Sequence, residues 1–141
     1  MGLRNIDATA RAQVKNHAAG GDISAQMLDK LLDGILNVEM TAGTEAANVI
    51  KVLGKVKDLD GTPVKAVTNV LVTSVPIAGV GTMTDGGKGV FKAGSGTKSV
   101  WLQTDVNGEF EVDVLNASVE QNLIQAELDE GETQFLVLTF A

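Results

Sequence analysis

The chain has 141 residues, enough for one domain with a hydrophobic core or for a domain with an appended arm. Its formal net charge of −7 argues against nucleic-acid binding, which needs a cationic face to displace phosphate counterions. The lack of cysteine excludes a disulfide framework and thiolate chemistry, and no run approaches the roughly 18 apolar residues of a membrane span. Aromatic residues are scarce and tyrosine is absent, so a core must come mainly from Val, Leu, Ile and Ala. The N-terminus MGLRNIDATARAQ has no apolar stretch of the signal-peptide kind.

From residue 1 to about 44 the pattern is helical. Asp7 or Thr9 caps a short helix through ATARAQVKNHA, which Gly20-Gly21 ends. Asp22 or Ser24 caps a second, SAQMLDKLLDGIL, in which Met27, Leu28, Leu31, Leu32, Ile35 and Leu36 recur at helical spacing. They form one broad apolar stripe, with Gln26, Asp29, Lys30 and Asp33 opposite. Gly34 loosens the last turn, at about 1 kcal/mol relative to Ala. Such a stripe either covers an open face of its own domain or is buried by another chain. The polar segment TAGTEAAN, which sets residues 1–44 apart as an arm, favours the second. Leu3, Arg4 and Ile6 ahead of the stripe are the expected contacts to a larger surface. The stripe itself is expected to associate around a symmetry axis, with a trimer favoured.

From residue 48 the period becomes two. In NVIKVLGKVKD, Ile50, Val52 and Val56 fall on one side and Val49, Lys51, Leu53, Lys55 and Lys57 on the other. Gly54 interrupts the inner set as a bulge or a close backbone approach. AVTNVLVTSV (66–75), SVWLQTD (99–105), EFEVDVL (109–115), NLIQAEL (122–128) and TQFLVLTF (133–140) follow as strands, and GVFKA (89–93) is a shorter seventh. EFEVDVL alternates cleanly, with Glu109, Glu111 and Asp113 toward water and Phe110, Val112 and Val114 inward. Seven short strands with no helix between them predict, over residues 45–141, a mainly β fold: an antiparallel sandwich of immunoglobulin type. Its expected core includes Val49 or Ile50, Val70, Val72, Trp101, Phe110, Val112, Ile124, Leu136 and Leu138. The glycine-rich stretch from 79 to 98 reads as a long flexible loop.

The sequence offers little that would do chemistry. DLDG (58–61) and DVNG (105–108) place glycine at the fourth position, where a calcium loop needs it at the sixth, and strand alternation resumes at once. They read as turns, in which Asp and Gly supply side-chain acceptors and positive φ. His17 is the only histidine, so no multi-histidine metal site exists. A nucleophilic triad would have to join His17 to Ser24 or Ser99, neither in a nucleophile-elbow context. In GVGTMTDGGKG, Lys88 is followed by Gly89, which breaks a phosphate-loop motif. No enzyme activity, metal or cofactor is expected.

The stretch TEAANVIKVLGKVKDLDGTPV (44–64) and the closing FLVLTFA (135–141) resemble a group of small tailed-bacteriophage virion proteins. In that group a similar opening leads into an immunoglobulin-like sandwich that closes on a strand ending in TFA. The resemblance implies a non-enzymatic structural protein, a capsid decoration protein or head fibre, bound to the major capsid protein or another virion protein. It implies a particle-surface location after a soluble stage in the host cytoplasm. A tail or tail-fibre component is the neighbouring alternative. Different in class is a module binding carbohydrate or host surface glycans through residues 79–98 and Trp101, and further off is the accessory domain of a secreted enzyme. The division of charge suits the first reading: −1 over residues 1–44 and −6 over 45–141.

Overall fold

The computed structural model describes residues 36–58, 60–129 and 133–141. They form nine strands: β1 (Leu36–Ala42), β2 (Val49–Asp58), β3 (Asn69–Pro76), β4 (Thr82–Asp85), β5 (Val90–Ala93), β6 (Ser99–Gln103), β7 (Glu109–Leu115), β8 (Gln121–Leu128) and β9 (Gln134–Thr139). A four-stranded sheet runs β1-β2-β7-β4 and a five-stranded sheet runs β5-β6-β3-β8-β9. Every pairing is antiparallel.

The inner faces follow from period two. From the four-stranded sheet come Val38, Ile50, Val52, Val56, Met83, Phe110, Val112 and Val114. The other sheet supplies Val70, Val72, Val100, Leu102, Ile124, Ala126, Leu128 and Leu138, and Phe140 closes one margin. Burying each large side chain contributes roughly 1.5–3 kcal/mol, so this layer accounts for most of the favourable energy of the fold. The expected seven strands are all present, and of the nine predicted core positions all but Trp101 are supported. Leu136 is only partly buried against the core, and the choice between Val49 and Ile50 falls on Ile50.

Gly54 explains how the aromatic core fits. It is paired with Phe110, and the β2–β7 register runs through it without a bulge. A Cβ at residue 54 would lie 2.1 Å from the Phe110 ring. The glycine is therefore the hole into which that ring folds, which is the close-approach alternative of the sequence reading.

Three expectations are corrected. First, the sandwich begins before residue 45: Leu36–Ala42 is a strand paired with β2, from Leu36↔Asp58 to Ala42↔Val52. Leu36, Val38 and Met40 turn toward the core while Glu39 and Thr41 are exposed. Leu36 thus packs in the sandwich and does not extend a helical stripe. Second, residues 79–98 are not one long loop, because Met83 of β4 is buried opposite Val114 and β5 pairs with β6. The glycines between are pinned by the backbone: Gly86 N–H donates to Glu111 C=O at 3.1 Å, and Glu111 N–H donates to Lys88 C=O at 3.0 Å. Third, Trp101 points outward, 45% exposed, because Val100 and Leu102 on either side of it take the inward positions.

Candidate interaction surfaces

The two acidic turns lie at one end of the sandwich and use one hydrogen-bond set. At each, the aspartate N–H donates to the backbone carbonyl of the residue four ahead, Asp58 to Thr62 at 3.0 Å and Asp105 to Glu109 at 2.8 Å. The glycine N–H donates back to the aspartate carbonyl at 3.0 Å in both. Each Oδ1 accepts from that fourth residue, Thr62 N–H at 2.9 Å and Glu109 N–H at 3.0 Å, and Asp105 also accepts from Asn107 N–H at 2.9 Å. Gly61 and Gly108 take φ of +83° and +73°. The carboxylates are thus turned onto their own backbone, as Asx-turns require. Among the described residues no cluster of three or more His, Asp or Glu side chains is placed to hold a metal ion. An open notch of about 290 Å³ between the turns is lined by Lys55, Pro63, Lys65, Asn107 and Glu109.

The outer face of the four-stranded sheet is charged and self-paired. Lys51 Nζ lies 3.2 Å from Glu111 and 3.7 Å from Asp113, Lys57 lies 2.6 Å from Glu39, and Lys88 lies 3.4 Å from Glu109. Lys51 also donates to the Gly86 carbonyl, which ties the glycine segment to this face. Its hydrogen bond to Glu111, with the Asp113 carboxylate nearby, raises the Lys51 pKa, and the Lys57 hydrogen bond holds Glu39 below the usual carboxylate range. Exposed pairs of this kind add little stability. They suit the register: Lys51 sits opposite Asp113, Lys55 lies between Glu39 and Glu109, and Lys57, opposite Asn37, reaches Glu39 diagonally. The Glu109, Glu111 and Asp113 set is the solvent-side face of β7 that the sequence predicted, half-buried in the sheet.

The far end is tied by Glu120. Its carboxylate accepts from Asn116 Nδ2 at 2.8 Å, Ala78 N–H at 2.8 Å and Gly79 N–H at 2.7 Å. The Asn116 hydrogen bond, followed by those backbone amides, lowers the Glu120 pKa. This clamp holds together two loops that expose Ile77 and Val119.

The outer face of the five-stranded sheet differs from its counterpart. Val75, Leu123 and Val137 lie in one cross-strand row, Thr73, Gln125 and Phe135 in the next, and Trp101, Leu71 and Glu127 in the third. Trp101, Val75, Phe135 and Val137 are exposed, with Phe135 at 59%, and Leu71 and Leu123 are half-buried. Strands β3, β6 and β9 carry no charged side chain at all. Sequence reasoning missed this surface, although a signal was there. In NVLVTSV and QFLVLT both parities are apolar, and such runs mark strands that face apolar surroundings on both sides.

Of the residues expected to make contacts, Leu3, Arg4, Ile6, Met27, Leu28, Leu31, Leu32 and Ile35 lie outside the described residues, as do His17 and Ser24. Leu36 is in β1, and Ser99 is exposed on β6 without a histidine near it among the described residues.

No protein-family model matches the chain, and no curated protein sequence matches it. Among solved structures it is similar to a β-glycosidase from Bacteroides vulgatus, with a TM-score of 0.54, 12% identity and 74% of this chain covered. It is also similar to the Yersinia pseudotuberculosis adhesin InvE, with a TM-score of 0.51, 17% identity and 75% covered. The match spans 14% of the glycosidase chain and 32% of the adhesin chain. At these identities the likeness is one of fold, and it agrees with two packed antiparallel sheets.

Proposed function

We propose that the chain is a non-enzymatic structural protein of a tailed-phage particle: an immunoglobulin-like sandwich attached to the particle surface by its N-terminal segment. The observation that carries this reading is the division of labour in the molecule. Residues 36–141 make a self-contained body with its own core, whose charged face is neutralised by its own ion pairs. Residues 1–35 join that body at one end, beside the two acidic turns, because Leu36 pairs with Asp58. The Glu120-clamped loops lie at the opposite end, where Pro76 pairs with Asn122. An attachment segment at one end and a projecting, hydrated body at the other is the geometry of a surface decoration. The resemblance of residues 44–64 and 135–141 to virion proteins supplies the particle.

The experiment is to add the purified full chain to phage particles lacking it and to measure bound copies by sedimentation and by particle reconstruction. A fixed copy number at symmetry-related positions is expected. Deletion of residues 2–23 should abolish binding while the strand signal in circular dichroism persists. Binding that survives the deletion, or copies scattered without symmetry, refutes attachment through this segment.

A second reading has one specific observation in its favour. Trp101 stands exposed beside Leu71 on an open sheet face, an arrangement able to stack on a sugar ring. Glycan-array binding by the full chain that is lost in Trp101→Ala would establish it, and silence on the array would remove it.

A further inference from the structure

We propose that the outer face of the five-stranded sheet is an interface between two copies of this chain, packed sheet against sheet about a two-fold axis that crosses the strands between Leu71 and Thr73. Such a dimer is independent of where the protein works. Three features of the molecule point to it: what each outer face would cost to bury, the extent of this one, and the order of large and small side chains along it.

The two outer faces differ first in the cost of covering them. On the four-stranded sheet Lys51, Lys57 and Lys88 are paired with carboxylates in water, and burial would strip both partners of hydration for little return. On the five-stranded sheet the ionisable side chains within the strands are Lys92 and Glu127, one of each sign. The whole chain carries −7, so this is a face on which two acidic copies meet without like-charge repulsion. Its exposed Trp101 and Phe135 are of the type that interface cores concentrate, and charges are what those cores lack. The face is also large enough. Five strands at a spacing of about 4.8 Å make it about 24 Å wide, and the eight-residue strands β3 and β8 run about 26 Å. With shorter strands at its margins it covers about 500 Å² in projection, and standing side chains raise its accessible area above that. A specific interface buries roughly 600–1,000 Å² per partner. The whole face, polar rows included, is of the size that one self-association needs.

The rows of side chains then fix the fit. The row Trp101, Leu71, Glu127 adjoins the row Ser99, Thr73, Gln125. On β6 and β3 the first row is therefore a ridge and the second, with Ser99 and Thr73, a trough. The two rows are two residues apart along each strand, or about 6.6 Å. A two-fold axis running across the strands, midway between these rows, lays each strand over its own copy in the opposite direction. It sets the Trp101–Leu71 ridge of each copy into the Ser99–Thr73 trough of the other. The same operation brings Glu127 against the partner's Gln125, whose amide can donate to the carboxylate. The face is thus complementary to itself, which a closed two-fold pair requires.

The single tryptophan reports on the face directly. The test is to measure the mass of the full chain by sedimentation velocity over a range of concentrations, with Trp101 emission read in parallel. Wild type should sediment as an even number of chains, and Trp101 should move to the red as dilution separates the copies. Val75→Lys with Val137→Lys, at two exposed positions outside the core, should halve the mass and raise the dissociation constant by more than about a hundredfold. Trp101 should then be open at every concentration while the far-UV strand signal is kept. A milder variant tests the axis. Gln125→Glu sets a second carboxylate against the partner's Glu127 and should weaken the pair at least about tenfold, and Glu127→Gln added to it should restore association. A monomeric wild type overturns the proposal, whether its Trp101 is open or shielded, and the shielded case would place another part of the same chain on the face. So does an odd-numbered assembly, and so does an even-numbered one whose mass responds to neither the lysine pair nor Gln125→Glu.

Discussion

Gly54→Ala is the smallest substitution that tests the packing of this core. The new Cβ would stand 2.1 Å from Cε1 and Cζ of Phe110, where carbon atoms normally rest about 3.5–4.0 Å apart. Phe110 is fully buried among Val52, Val56 and Val112, so its ring has no open space to enter. Overpacking of this severity costs about 3 kcal/mol, the upper part of the usual range. Replacing a strand glycine returns roughly 0.5–1 kcal/mol of backbone entropy, which leaves a net loss of about 2 kcal/mol. Phe110→Ala alone should cost about 3–5 kcal/mol through the cavity it leaves. Once the ring is gone the methyl at 54 has room, so adding Gly54→Ala to Phe110→Ala should be neutral or mildly stabilising. The double-mutant cycle by urea denaturation, followed by far-UV circular dichroism, should therefore show a coupling of about 2–3 kcal/mol. Losses that add to within about 0.5 kcal/mol, the behaviour of independent sites, would show that Gly54 does not serve as the seat of the ring.

The turns and the clamp give further expectations. Gly61→Ala should cost about 1–2 kcal/mol, the penalty for a Cβ at positive φ, since nothing lies within 4 Å of it. Gly108→Ala should cost clearly more, because its Cβ would meet the Val64 carbonyl oxygen at 2.1 Å; equal midpoint shifts in urea would count against this account. Asp105→Ala should lose more stability than Asp58→Ala, roughly in the ratio of two amide hydrogen bonds to one at about 1 kcal/mol each, and calcium should leave both midpoints unmoved. Glu120 has a folded pKa below its ordinary value of 4.5, so its contribution is complete above about that pH and is lost as pH falls through the lower folded value. Exchange of the Ala78 and Gly79 amides should accelerate in that acid window, and Glu120→Gln should remove this pH dependence; an unchanged acid profile in Glu120→Gln would refute the clamp.

What was legible in the sequence follows from how each strand is solvated. β7 has one wet and one dry face, so EFEVDVL states its orientation outright. β2 does the same through Lys51, Lys55 and Lys57, and the two aspartate–glycine turns were readable because Asp and Gly favour the side-chain acceptors and positive φ that such turns use. The misreadings came where one of these signals was missing. SVWLQ has three apolar residues in succession, so its parity is set only by the register Leu71↔Trp101, which is a tertiary fact. β4 contributes one inward side chain, Met83, and a single residue has no period. β1 follows directly on a run whose apolar residues have helical spacing in the sequence, and Leu36 satisfies both patterns at once: four residues after Leu32, and two before Val38. There the alternation of Leu36, Val38 and Met40 was the better guide, and pairing with β2 decides between them.

The two outer faces also say something about how an acidic chain of this size divides its surface. Lysines are gathered on β2, where each meets a carboxylate of a neighbouring strand, so the four-stranded sheet is neutralised locally and its water-facing side is complete in itself. The five-stranded sheet has only Lys92 and Glu127 within its strands, and so has no such means of making an outer face that water favours. If both faces had been solvated through evolution, β3 and β9 would be expected to alternate as β7 does, since a polar residue at an outward position loses nothing in packing. They do not: Val75, Phe135 and Val137 stand exposed at outward positions, with Leu71 half-buried beside them. An exposed apolar row of this kind marks a surface that water alone does not favour. The sandwich is thus asymmetric in what its two outer faces present to water, charged and paired on one side and largely apolar on the other.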